Sequence, residues 1–246
     1  MTIETEGDLE GMRRVGRVVA RVLAAMRRET RPGVTTAQLD TVAKRVLEAH
    51  GAVSAPARHY HFPGTTCISV NDEAVHGIPG TRVLRRGDLV KLDVTAELNG
   101  YIADAAVSVA LPGAEPRARR MVRVAESAFS RAAAAARAGR PINELGRIIE
   151  LAVGDGGFAV LPQLFSHGVG RAIHEAPSYP QFYDPGYGGQ LWNGLVITIE
   201  PIISAGSRRV VEDPDGWTLR TADGSLSAHH EHTIIVKRNR CEIVTA

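Results

Sequence analysis

Residues 89–109, LVKLDVTAELNGYIADAAVSV, decide how this chain folds. Asn99-Gly100 is a two-residue hairpin signal, because a type I′ turn requires positive φ at both central positions. That turn fixes a register in which Leu98 faces Tyr101, Thr95 faces Asp104 and Asp93 faces Ala106. Side chains alternate along a strand, so Asp93 and Thr95 share a face. Asp104 then lies diagonally beside Asp93, about 7–8 Å away between backbones and closer at the side chains. Two carboxylates converge on a hairpin whose other positions (Leu92, Val94, Ile102, Ala103, Ala105) are apolar, which argues against a solvated edge.

The second half of the chain raises the same question. In LVITIEPIISAG, residues 195–206, Leu195 to Ile199 read as a buried strand. Glu200 follows while the chain is still inside, and Pro201 ends the ladder. An isolated buried carboxylate costs several kcal/mol. In SLSAHHEHTIIV, residues 225–236, alternation sends His229, Glu231 and Thr233 to one face and His230 and His232 to the other. LFSHGVGRAIHEAP, residues 164–177, offers His167 and His174 around two glycines small enough to allow close approach. If Asp93, Asp104, Glu200 and Glu231 meet in one pocket, each like-charged pair at about 4 Å costs about 4 kcal/mol at an effective dielectric near 20. Two divalent cations would offset four carboxylates, with one imidazole completing the shell. Oxygen-rich ligands with a single histidine favour manganese, iron or cobalt over a sulfur-rich structural zinc site.

Around these segments, helix and strand signals come in two rounds. Apolar residues recur at helical spacing over 8–28 (Leu9, Met12, Val15, Val19, Val22, Leu23, Met26). A second helix opens at Thr35 with Gln38 placed to reach back, and ends at Gly51. Strands are predicted in TTCISV, DLVKLDVTAEL and GYIADAAVSVAL. Helix then returns between Pro116 and Gly139 and in INELGRIIELAV, before strands resume. Gln38-Leu39 aligns with Glu144-Leu145 at an offset of 106, and an offset of 107 carries Asp93 onto Glu200. The pattern predicts one α+β domain, 1–246, with pseudo-repeat halves of roughly 1–115 and 116–246. A curved antiparallel sheet would lie inside and the helices outside.

Composition excludes several classes. With 246 residues, 44% of them hydrophobic, the chain can bury a large core, and a formal charge of +2 implies no nucleic-acid or membrane partner. Cys67 and Cys241 form no disulfide framework, no apolar run spans a membrane, and MTIETEGDLEGMRR has no apolar leader, so a cytoplasmic protein is expected. GVGRAI lacks the frame of a dinucleotide fingerprint, and no H-E-x-x-H is present. The arginine-rich stretches 13–28 and 117–137 read as solvated helix faces, with a docking role as the functional alternative.

Taken together, KLDV with YIADAAVS, SHGVGRAIHEAP, TIEPII and HHEHTIIV resemble the five-ligand signature of the methionine aminopeptidases, within the wider pita-bread family. CISVNDEAVHGIP, LRRGDLVKLDV and DGWTLRTADGSLSAHHEHT extend the resemblance over about residues 8–244. It implies two divalent ions, cobalt, manganese or iron, with zinc an alternative. Asp93 would hold one, His167 and Glu200 the other, and Asp104 and Glu231 both. The substrate's free α-amine would bind at the Asp93 ion, His174 would polarise the scissile carbonyl and Glu200 would shuttle the proton to the leaving amine. His76 is similar in position to a histidine that contacts the substrate's peptide group. Tyr60, Phe62, Cys67 and Trp217 would line the methionine pocket. Ile173 stands where the family often has Phe, which removes one aromatic wall.

Only 31 positions separate Glu200 from Glu231, and no zinc-finger-like extension is read, so the resemblance is to the bacterial, type I enzymes. It implies a monomer that removes methionine from peptides and nascent chains, preferring a small second residue. Two rivals are a proline-specific pita-bread peptidase and a non-catalytic binding module. The first usually carries a large N-terminal domain, not read here, and the second usually loses the ligands that this chain keeps.

Overall fold

A computed structural model describes residues 1–246. Asn99 and Gly100 take φ of 52° and 76°, the left-handed values a type I′ turn needs. The strands on either side, Leu89–Leu98 and Tyr101–Ala110, pair in the expected register, with Asp93 opposite Ala106 and Thr95 opposite Asp104.

The hairpin does not stand alone. Strand Glu231–Val236 pairs with its second arm, setting Glu231 opposite Ala106. Asp93, Ala106 and Glu231 therefore run across three adjacent strands, and the small Ala106 leaves room between the two carboxylates. Strand Val196–Ile199 pairs on the other side of Glu231–Val236, with His232 opposite Ile199, so Glu200 emerges next to Glu231. Phe165–Gly168 and Glu175–Pro180 continue this nine-stranded antiparallel sheet, whose other members are Val53–Ser54, Cys67–Val70 and Cys241–Ile243. The sheet is curled, and helices pack against it.

Five helices cover it. Helix α1, Glu6–Glu29, starts three residues before Leu9, the first of its apolar stripe, because Thr5 and Asp8 form a reciprocal cap. Helix α2, Thr36–Ala49, carries the expected Thr35–Gln38 capping box. A short α3, Ala55–Tyr60, points Tyr60 towards the site. Helix α4, Pro116–Ala135, stops before the predicted end at Gly139, and α5 spans Asn143–Asp155. Tertiary hydrogen bonds end α4 early: the Ala138 amide donates to the Lys237 carbonyl and the Gly139 amide to that of Leu191.

The apolar faces of α1 and α2 meet the hairpin in one core, which includes Met12, Val19, Leu39, Leu92 and Ile102. Those of α4 and α5 meet the second-half strands in another, around Met121, Phe129, Leu145, Ile197 and Ile234. Met12, Met121 and Leu39 are fully buried, and truncation of such a side chain to Ala costs about 2–5 kcal/mol. Segment 111–115 joins the hairpin to α4. No helix is long and apolar enough to cross a membrane.

Candidate active site

A cavity of about 810 Å³ is lined by every residue singled out from the sequence: Tyr60, Phe62, Cys67, His76, Asp93, Asp104, His167, His174, Glu200, Trp217 and Glu231. At its floor, Asp104, Glu200, Glu231 and His167 are buried, and Asp93 is partly buried beside them. Backbone pairing fixes each one. Asp104 has its amide on the Thr233 hydroxyl (2.9 Å), which in turn donates to the Asp104 carbonyl. Thr198 Oγ1 accepts from the His167 amide at 3.0 Å and donates to Glu200 Oε1 at 2.7 Å, so one hydroxyl locks both residues in place.

The floor is electrostatically strained. Burial first, then the neighbouring carboxylates, push Asp93 and Glu231 well above the ordinary range. Glu200 is pushed well above it too, by burial and then by Asp104, against the Thr198 hydrogen bond. Burial raises Asp104 to about 7. Burial, and then His174, lower His167 to about 4, so its ring is neutral and free to act as a ligand.

Two trios have ligand atoms mutually within 4.8 Å: Asp104, His167 and Glu231, and Glu200, His229 and Glu231. Asp93 joins neither, although it lines the same cavity. Asp104 Oδ1 and Glu231 Oε1 are buried without any hydrogen-bond partner. Such atoms are rare in folded proteins, and a shared cation would satisfy both.

Above this floor stand His174 and His76. Glu175 holds the loop that carries His174: its Oε1 accepts from the amides of Arg171 (2.5 Å) and Ala172 (2.6 Å), and its Oε2 pairs with the Met1 ammonium at 2.5 Å. Gly168 permits the close packing anticipated after His167, since a Cβ there would lie 2.5 Å from the Ala176 carbonyl oxygen. His76 sits at φ 59°, a conformation uncommon outside glycine and concentrated at functional sites.

The apolar wall is partly as anticipated. Phe62 and Trp217 meet edge to face, with centroids 5.1 Å apart. Cys67 lies opposite Asp93 in register, and burial followed by that carboxylate pushes its thiol well up. Ile173 is buried in the first core and also borders the cavity. Phe165, not singled out from the sequence, adds an aromatic side chain to the lining. Its signal was present: it stands two residues before His167, on the same side of the strand. The sequence reading also passed over Glu175, whose partners are backbone amides and a chain terminus. His229 is absent from the ligand set the resemblance implies, although alternation places it on the same face as Glu231.

A family model for metallopeptidase family M24 matches residues 10–238. The chain belongs to metallopeptidase family M24. Within M24 it is 42% identical over 247 residues to methionine aminopeptidase 2 of Bacillus subtilis (strain 168), covering 100% of this chain and 99% of that one. Among solved structures it is similar to the methionine aminopeptidase of Thermotoga maritima, at 36% identity and a TM-score of 0.96, covering 100% and 99% of the two chains. The prolidase of Pyrococcus furiosus shares the fold at 22% identity and a TM-score of 0.78, with 65% of its chain covered. The M24 chain thus has the pita-bread fold that the resemblance implied, and it is a metallo-aminopeptidase hydrolase.

Proposed function

We propose that this chain is a type I methionine aminopeptidase, removing methionine from the N-termini of peptides and nascent chains with a preference for a small second residue. One observation carries the reading: four carboxylates and a neutral imidazole crowd the floor of a cavity whose wall is apolar and aromatic.

The residues fit two divalent ions, because buried Asp104 and Glu231 oxygens lack partners and the donors are oxygen with imidazole. Asp93, Asp104 and Glu231 would hold one ion; Asp104, His167, Glu200 and Glu231 would hold the other. Cobalt, manganese or iron suits this set, and zinc is compatible. When bound, such ions supply Lewis-acid polarisation and a water acidic enough to attack at neutral pH.

The chain's own groups do the rest. Glu200, held at Oε1 by Thr198, accepts the proton of the attacking water and returns it to the leaving amine. His174 donates a hydrogen bond to the scissile carbonyl as negative charge builds on it. His76, fixed in its left-handed conformation, contacts the peptide group beyond the scissile bond. Tyr60, Phe62, Cys67 and Trp217 seat the methionine side chain, with aromatic–sulfur contacts suited to a thioether.

The same reading makes the protein a cytoplasmic monomer built from pseudo-repeat halves 1–115 and 116–246, meeting its substrates at the ribosome. Hydrolysis of Met-Ala-Ser against Ala-Pro peptides during titration with each metal tests the activity. Cleavage of Ala-Pro alone would replace it with a proline-specific one. Co-sedimentation with ribosomes at graded salt tests the partner.

A further inference from the structure

His229 is 2% exposed, and neither of its ring nitrogens has a hydrogen-bond partner. Folded proteins rarely leave a buried polar group in that state without a reason. The residue cannot turn away easily. Its amide donates to Ser108 Oγ at 2.9 Å, the same hydroxyl donates to its carbonyl at 2.8 Å, and its strand pairs with Ile202. The ring is thereby fixed against the cavity floor, on the same side of the chain as Glu231.

The position of its Nε2 is informative. It lies 3.2 Å from Glu231 Oε2, close enough for a hydrogen bond yet not aligned as one. Two donor atoms each about 2.1 Å from one ion, subtending about 90–109°, stand roughly 3.0–3.4 Å apart. The His229–Glu231 pair falls in that range, and the His167–Glu200 pair, at 3.5 Å, is just outside it. His229 also shares a ligand trio with Glu200 and Glu231, in which every atom is within 4.8 Å of the others.

From this geometry we infer that His229 is a sixth protein ligand of the metal centre, adding an imidazole nitrogen to the ion held by Glu200 and Glu231, beside the one that His167 supplies to the centre. The inference rests on the metal centre proposed above. A neutral imidazole adds a donor without adding charge to a floor already carrying four carboxylates. A further nitrogen also shifts the centre's preference towards iron, cobalt or zinc and away from manganese, which favours oxygen donors. The site would therefore be more selective than the five-residue set alone.

Pulsed electron paramagnetic resonance on the manganese-loaded wild-type protein counts coordinated imidazole nitrogens, and calorimetry with cobalt and with manganese gives affinities. Two coordinated imidazoles in the wild type are expected, falling to one in His229→Gln. Cobalt affinity should drop at least as far as on loss of an outer partner, roughly 10–100-fold, and manganese affinity by less. One imidazole in the wild type, or a count unchanged by His229→Gln, overturns the sixth ligand and leaves the five-residue centre standing. A wild-type protein that takes up no ion overturns both. The wild-type count alone decides the question should the variant fail to fold.

Discussion

The Tyr60 hydroxyl lies 3.0 Å from His174 Nδ1, and the two rings stack at 12° with centroids 5.8 Å apart. A hydroxyl that donates to Nδ1 leaves the imidazole proton on Nε2, the nitrogen available to a substrate carbonyl. Tyr60→Phe keeps the stacking and removes this constraint. The expected result is a fall in kcat of about fivefold, the kinetic equivalent of about 1 kcal/mol, with KM for Met-Ala-Ser little changed. An unaltered kcat would mean that His174 is oriented by its loop alone.

Glu200 trades stability for chemistry. Glu200→Gln should abolish turnover while leaving circular dichroism unchanged, because Gln cannot carry the proton. The metal-free variant should also melt higher than the metal-free wild type, since burial and Asp104 oppose ionisation of Glu200. Each kcal/mol gained corresponds to about 2–4 °C in a chain of this size. A lower melting temperature would contradict the strained floor.

The metal-free protein should lose stability as pH rises from 6.5 through 7. An unfolded chain gives up the Asp104 proton near 3.8, and the folded one only near 7, so unfolding between those values releases a proton. Stability therefore falls with rising pH, by about 1.4 kcal/mol per pH unit for each proton released. Asp93, Glu200 and Glu231 are raised as well, by burial and by their neighbouring carboxylates, and act in the same sense. His167 acts in the opposite sense, but its contribution is complete above about 6.5 and is lost only as pH falls towards 4. Denaturant melts at several pH values, with chelator and with cobalt, check this: the ion should abolish the slope.

Gly168→Ala should disturb both histidines of the site. The new methyl group would meet the Ala176 carbonyl at 2.5 Å and the Glu175 carbonyl at 2.9 Å, and backbone must move to admit it. Overpacking of this kind costs about 1–3 kcal/mol. Thermal melts should show that loss, together with a kcat reduced more than KM is raised.

Trp217→Ala removes the edge-to-face partner of Phe62 and one aromatic surface for the thioether. Aromatic–sulfur contacts contribute about 0.3–1.5 kcal/mol. KM for Met-Ala-Ser should rise up to about tenfold with kcat nearly intact, and equal losses in both would point to a role at the reacting bond instead.

Much of this was written in local sequence. Asn99-Gly100 set the register that puts Asp93 near Asp104, Thr35 and Gln38 started α2, and alternation separated His229 and Glu231 from His230 and His232. The outer pair instead packs against Phe129. Turn preference, capping and alternation depend on neighbours a few residues away, so a single chain reveals them. Where α4 ends was not legible, because its last turn is broken by bonds to Lys237 and Leu191.

The sequence by itself determined the long helices and the central hairpin, the faces on which the acids and histidines lie and, through motif order, the family. Only the tertiary structure decided that strand 231–236 docks on hairpin 89–110, that Glu175 ties the His174 loop to the Met1 ammonium, and that His229 is left without a partner. The first two join groups 125 and 174 positions apart, and packing of two cores against one sheet, rather than any local preference, sets the distances between them.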